Sequence, residues 1–346
     1  SELMRYMSVL SVPLLALMAM PAMAQSHKVL DNGVVVIPAK AGAAQVRVEV
    51  INDSIVRVSA DQDGDFARTP SLMRVPVQGK PSFKVEQGEG SVRLIAKGIR
   101  AAIAESDGHV SFTDGNGKPL LSERPDGRTF TPVTVEGKQY SAVRQRFDSP
   151  ADEGIYGFGQ HQQGWMNQKG RDVELQQNNI DMAVPFIVSS RNYGLLWDNN
   201  AITRLGDPRG LRPLQESLQV YDAKGKAGGF TARYIVDGKQ RVERRENEIN
   251  YQYIKDLKAF PAKGKPAAES RAQVVWEGAI EAKTAGRHTF SLYGSEYIKL
   301  WVDGKLVIDR WRQNWNPWHH EFALELTPGT KHDIKVEWDL IDPSYI

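Results

Sequence analysis

Residues 311–318 read Trp-Arg-Gln-Asn-Trp-Asn-Pro-Trp. Trp311, Trp315 and Trp318 place three large rings in one loop, with Arg312, Gln313 and Asn314 between them. Sugar rings offer C–H faces that stack on aromatics, and their hydroxyls seek planar amides and charged groups. Three tryptophans on a loop are unfavourable in water unless they pack or bind. Covering an edge of their own domain would serve equally well, and both uses stay open. A second stretch, Tyr156 to Asn199, carries a glutamine-rich loop with an exposed-looking Trp165. Tyr156-Gly157-Phe158-Gly159 alternates aromatic and glycine, the pattern of a strand whose backbone is closely approached. Ser189 to Asn192 reads as a hairpin turn between Pro185–Val188 and Tyr193–Trp197. Core strands that hold a long polar loop can present a surface for sugars or peptides.

Hydrolytic chemistry has no address in these residues. Asp198 and Asp339 each follow a tryptophan. Asp198 ends a strand and reads as a turn former, and Asp339 follows a strand and is expected to be exposed. His161, His288, His319, His320 and His332 are scattered over strands and loops. Neighbours on a strand point to opposite faces, so His319 and His320 are not expected to share a metal. No phosphate loop or zinc-ligand spacing occurs, and neither cofactor nor metal is expected.

The elements that must position these groups are β-strands. The chain has 346 residues, 41% hydrophobic and 25% charged, with a formal net charge of +2. That is a soluble, globular composition, without the charge excess that binding nucleic acid or an anionic membrane would use. Cysteine is absent, which excludes disulfides and thiolate metal sites and leaves stability to large cores. Met4-Arg5-Tyr6 precedes an apolar run over residues 9–20, and Ala22-Met23-Ala24 follows. The run is too short to span a hydrocarbon core of roughly 30 Å, so residues 1–24 are expected to be a signal peptide cut after Ala24. A periplasmic or secreted protein with no membrane span is implied.

Val34–Ile37, Val46–Val50, Ile55–Val58, Val92–Ile95, Ile99–Ile103 and Val110–Phe112 are short β-branched runs. Turn signals such as Asp107-Gly108 and Asp114-Gly115-Asn116-Gly117 punctuate them. Alternation at this spacing predicts an antiparallel β-sandwich. It is expected over residues 25–222, closing with a strand at Leu218–Tyr221, before a Lys/Gly-rich linker over residues 223–229. Residues 230–346 form the second unit. In it, Arg241–Asn247 reads as a solvated helix face or loop, and Asp303-Gly304 as a two-residue hairpin turn. Phe322–Leu326 and His332–Trp338 are expected to pair across a Pro328-Gly329 turn. The fold class is all-β.

YGFGQHQQGW, followed by VPF, NYG and WDN, resembles the N-terminal β-sandwich of family 31 glycoside hydrolases, and the α-xylosidases most of all. The resemblance runs from roughly Val29 to Tyr221. Trp276–Gly278 (W-x-G), AGRHTFSLYGSEYIKLWVDGKLVID and PGTKHDIKVEW resemble a PA14 domain, over about Gly228 to Trp338. Xyloglucan-acting α-xylosidases can carry a PA14 domain at this point, near the active-site mouth. The resemblance implies the front portion of a retaining α-glycosidase whose two catalytic aspartates sit on a downstream (β/α)8 barrel. Nothing here reads as that barrel, so the chain alone is expected to be inactive. The implied partners are a xyloglucan-type oligosaccharide or polysaccharide and the enzyme's own barrel.

In family 31 a loop of the sandwich also reaches the active-site rim. The matching segment is Glu174–Asn179, where many relatives carry an aspartate and this chain has Gln176, Gln177, Asn178 and Asn179. Gln177 and Asn178 are therefore candidates for uncharged sugar contacts, or else parts of a solvated loop. Some PA14 relatives bind calcium, but no consecutive-aspartate motif occurs here. Three other readings remain open. They are an α-glucosidase portion, a free-standing carbohydrate-binding or adhesin-like protein, and a mutarotase-like enzyme needing a histidine and a carboxylate on one concave face.

Overall fold

The computed structural model describes residues 26–67, 70–161, 165–177, 181–206, 211–251, 272–310, 318–340 and 346. The expected signal peptide lies outside them. The described residues divide into two units. One ends at Gly159 and resumes over Val184–Thr203, and the other takes Gln160–Ala183 and Arg204–Ile346.

In the first unit, β1 (His27–Leu30), β2 (Gly33–Val36), β3 (Gln45–Asn52) and β4 (Ile55–Asp61) form an antiparallel sheet in sequence order. β5 (Lys84–Gln87), β6 (Ser91–Ile95), β7 (Ile99–Ala104), β8 (Val110–Asp114), β9 (Pro119–Val135) and β10 (Lys138–Phe147) form a second sheet, also in sequence order. Alternation does the work that disulfides cannot. Val34, Val36, Val46, Val48 and Val50 of one sheet meet Val92, Leu94, Ile103 and Val110 of the other in a single buried cluster.

The hairpin expected at Ser189–Asn192 forms as read. β11 (Ile155–Gln160), β12 (Asp172–Leu175), β13 (Met182–Ser189), β14 (Gly194–Leu196) and β15 (Thr203–Gly206) follow. β13 is flanked by β11 and β14, and β12 pairs with β15. The close approach expected at Tyr156–Gly159 is made by β13: a Cβ at Gly157 would lie 2.4 Å from the Phe186 carbonyl oxygen. Glu153, 4% exposed, anchors the β13–β14 turn by accepting hydrogen bonds from Ser189 Oγ (2.5 Å) and Tyr193 Oη (2.6 Å).

The remainder of the second unit starts with a single helical turn, α1 (Leu214–Ser217). β16 (Leu218–Asp222), β17 (Phe230–Val236), β18 (Lys239–Glu246), β19 (Ala272–Ala282), β20 (Gly286–Gly294), β21 (Tyr297–Val302), β22 (Lys305–Arg310), β23 (Trp318–Leu326) and β24 (Lys331–Leu340) complete it. A seven-stranded sheet runs β18-β17-β19-β24-β21-β22, with β16 also on β19, and β20 pairs with β23. Asp303 and Gly304 both take positive φ, 49° and 77°, as the tight β21–β22 hairpin requires.

Three expectations change. Leu218–Tyr221 does not close the first sandwich. β16 and β17 lie along successive halves of the same edge of β19, with Asp222 opposite Gly278 and Thr231 opposite Glu277. Residues 223–229 are thus a tight excursion rather than a linker, held by Asp222 Oδ1 accepting from the amides of Lys224 and Lys226 at 2.9 Å. Gly278 explains the glycine of W-x-G, since a Cβ there would lie 1.9 Å from the Tyr221 carbonyl oxygen. Second, Arg241–Asn247 is mostly strand, not helix or loop. Val242 and Glu246 of β18 turn inward, while Arg241, Glu243 and Arg245 guard a sheet edge. Third, Phe322–Leu326 and His332–Trp338 do not pair with each other. β23 joins β20, and β24 is inserted between β19 and β21.

Trp276 and Trp338, both 0% exposed, stack with ring centroids 6.2 Å apart at the centre of this unit's core. Beneath them lies Glu246, which accepts from Trp276 Nε1 at 2.9 Å and Tyr234 Oη at 2.8 Å. Tyr251 Oη also donates to it, and Arg244 pairs with it at 3.2 Å. Glu246→Ala leaves a part-buried cation and three donors without that acceptor. It is expected to destabilise the unit by roughly 3–5 kcal/mol in urea unfolding. A loss within experimental error would show that the carboxylate is dispensable to the core.

Candidate functional site

The β20–β23 ribbon positions the first candidate surface. Its register sets Gly294 opposite Trp318, Tyr293 opposite His319, and Ser291 opposite Glu321. Phe290 and Phe322 stack at 4.8 Å on one face. Tyr293, 48% exposed, sits with its ring 4.7 Å from that of His319, whose Nδ1 meets Ser291 Oγ at 2.7 Å. His320 is buried, so the adjacent histidines do face opposite ways. Trp311, Arg312 and Trp315 lie outside the described residues. Trp318 begins β23, and its side chain lies outside them too. Among the described residues, Tyr293 and His319 form the cross-strand pair next to the Gly294–Trp318 pair. An aromatic face beside neutral hydrogen-bonding groups suits a sugar. Strand alternation places Ser291 and Tyr293 together, and was the one signal available for a pair that sequence reasoning passed over.

The second candidate, the loop preceding β12, is organised around a cation. Trp165 is half-buried rather than open, because the Arg171 guanidinium lies 4.1 Å over its ring. Its Nε1 donates to Oε1 of the buried Gln168 at 3.1 Å. The β12–β15 pairing is close, since a Cβ at Gly206 would lie 1.8 Å from the Arg171 carbonyl oxygen. Arg204 pairs with Asp172 across it. Gln177 spends its amide on its own loop, donating to Asp181 O at 2.8 Å and accepting from Ala183 N at 3.2 Å. Asn178 lies outside the described residues.

This loop and the β20–β23 ribbon meet in one charged cluster. Arg171 Nη1 lies 3.5 Å from Glu321 Oε2. Burial pushes the Glu321 carboxyl above its ordinary 4.5, an effect that Arg171 only partly offsets. Burial of the ring holds the His319 imidazole below 6.5, with Asp172, Arg204 and Glu174 as its charged neighbours.

Neither tryptophan-adjacent aspartate is placed for catalysis. Asp198 is more than a turn former, since its carboxylate pairs with Arg57 at 3.0 Å, and Arg57 in turn reaches Glu49 at 3.7 Å. Asp339 is half-buried rather than exposed and accepts from Gln273. Histidine–carboxylate pairs occur at turns: Asp107 and Asp303, which meet His109 and His332, also accept from backbone amides. Among the described residues no group of three or more His, Cys, Asp or Glu could hold a metal. One four-residue helix and no (β/α)8 barrel are found among them. No helix there is long and apolar enough to cross a membrane.

Residues 45–205 match the glycosyl hydrolase 31 N-terminal galactose mutarotase-like domain, and residues 246–343 match the PA14 domain. The chain thus carries, in that order, the N-terminal domain of glycoside hydrolase family 31 and a PA14 domain. A crystal structure of the family 31 α-xylosidase of Xanthomonas citri is similar at 66% identity and a TM-score of 0.83, covering 92% of this chain and 35% of that one. An α-xylosidase of Saccharolobus solfataricus is 29% identical over 212 residues, 57% of this chain and 26% of its own. An uncharacterised family 31 glucosidase of Pseudescherichia vulneris is 47% identical over 77 residues, 22% of this chain and 14% of its own. The chain spans about a third or less of the length of these relatives.

The sign of the Glu321 shift is testable. A carboxyl raised in the folded state holds its proton more tightly there than in the unfolded chain. Stability therefore falls as pH climbs from 4.5 through the raised value. In chemical denaturation, the stability of Glu321→Gln relative to wild type should grow over that window. A gap that shrinks with rising pH would contradict burial as the dominant influence.

Proposed function

We propose that this chain is the N-terminal portion of an exported retaining α-xylosidase acting on xyloglucan oligosaccharides, and that it shapes the outer substrate subsites. The observation that carries this reading is the 66% identity to the Xanthomonas citri α-xylosidase across 92% of the chain. Identity at that level runs through both domains rather than through one common module. Hydrolysis would fall to two aspartates of a barrel outside these residues, and this chain alone would be inactive. The signal-like segment at residues 1–24 supports export to the periplasm or medium.

Two surfaces support the assignment of roles. The tryptophans of residues 311–318, together with Tyr293 and His319, would stack and orient the glycan beyond the bond being cleaved. Val184, Phe186 and Val188 leave one side of β13 41%, 42% and 49% exposed, and Leu196, the cross-strand partner of Phe186, is 44% exposed. A sheet face this apolar needs a cover, and the enzyme's own barrel is the partner this reading supplies.

The full-length protein should hydrolyse p-nitrophenyl α-xyloside and the 346-residue chain should not. Turnover of the α-glucoside in preference would point to an α-glucosidase instead. No turnover by the full-length protein, with retained glycan binding, would favour a carbohydrate-binding protein. Trp311→Ala combined with Trp315→Ala should raise KM for xyloglucan oligosaccharides about tenfold, as expected for losing one to two ring stacks. An unchanged KM would mean that these rings only pack.

A further inference from the structure

We propose that Glu321 of the PA14 domain is the positioning residue for the 165–177 loop, acting through Arg171. The PA14 domain would then hold a rim element of the neighbouring domain in place as well as offer a surface of its own. The rim role rests on the function proposed above, but the clamp itself does not.

The geometry is a relay. Trp165 lies under the Arg171 guanidinium at 4.1 Å, and the other end of that guanidinium is 3.5 Å from Glu321 on β23. Both side chains of the pair are largely withdrawn from water, Arg171 being 30% exposed and Glu321 12%. Trp165 is in turn tied to the buried Gln168, whose carbonyl oxygen accepts from the Arg171 amide at 2.9 Å. Immediately beyond Arg171, β12 carries Val173 and Leu175 inward and leads to Gln177. A single carboxylate on the PA14 ribbon therefore sets where the guanidinium rests, and with it the ring and the chain on either side. Arg204 pairs with Asp172 and would hold β12 to β15. Only the Arg171 pair crosses to the PA14 strand among the ion pairs of the described loop residues.

A half-buried ion pair of this kind adds little net stability, because desolvation opposes the Coulomb gain, yet it selects one arrangement. That separates a positioning role from a structural one. In native-state hydrogen exchange of the full-length protein, Glu321→Gln should speed exchange of the 165–177 amides about tenfold. The amides of β19 and β24 should exchange no faster, and the unfolding midpoint should not fall. Arg171→Lys, which keeps the cation, should have the smaller effect. Unchanged exchange in the loop would overturn the proposal, as would a rise spread evenly through the unit. In steady-state kinetics the same variant should raise KM for xyloglucan oligosaccharides about fivefold with kcat within error. A fall in kcat alone would sink the rim role. If the full-length protein hydrolyses no xyloside, the functional reading fails while the exchange result still decides the clamp.

Discussion

A chain without cysteine can keep a sheet folded only by burying one entire face of it, and that constraint governs both units. Every second residue of β2, β3, β6 and β7 is an aliphatic side chain pressed into one shared cluster. In the second unit the same alternation buries Phe230, Ala232, Tyr234 and Val236 from one strand, and Val274, Trp276 and Ile280 from its neighbour. Glycines appear where the backbones themselves come together. Gly157 admits a carbonyl of β13, and Gly278 admits a carbonyl of β16. Motifs that look decorative in the sequence, Tyr-Gly-Phe-Gly and Trp-x-Gly, are points where a side chain would collide with a neighbouring strand.

Within that apolar frame, glutamates mark the joints. Glu153 gathers Ser189 and Tyr193 and closes the β13–β14 hairpin. Glu246 gathers Trp276, Tyr234, Tyr251 and Arg244 and ties the edge strand to the core. Among the described residues Glu321 pairs with Arg171, and burial raises its carboxyl more than that pair lowers it. The ranking follows from counting donors. A carboxylate surrounded by several becomes part of the fold, while one with a single partner across a domain junction is better suited to choosing between arrangements than to adding stability.

The candidate sugar contacts come from both sequence families. The PA14 ribbon supplies Tyr293 and His319. The 165–177 segment, sequence-wise a part of the family 31 domain, lies in the same compact unit. Trp165 and Gln177, read from sequence as candidate sugar contacts, are engaged within their loop by Arg171, Asp181 and Ala183. Their part is to give the loop a shape.

Much of the fold could be read directly. The β-branched runs, the Asp303-Gly304 turn and the Ser189–Asn192 hairpin depend on local alternation and turn chemistry, which neighbouring residues determine by themselves. What could not be read was partnership. Leu218–Asp222 looks like the end of the first sandwich, yet it lies on β19, because the exposed edge of a later strand competes for it. β23 and β24 are adjacent in sequence and belong to different pairings, because a sheet orders its strands by which edges and faces are free. The charged run at Arg241–Glu246 folds as a strand because Glu246 finds donors brought from four other positions. Sequence alone determined which residues can stack on or hydrogen-bond to a sugar. Tertiary structure decided which of them are already spoken for, since a guanidinium that covers Trp165 arrives from six residues away and is held there by a carboxylate on a distant strand.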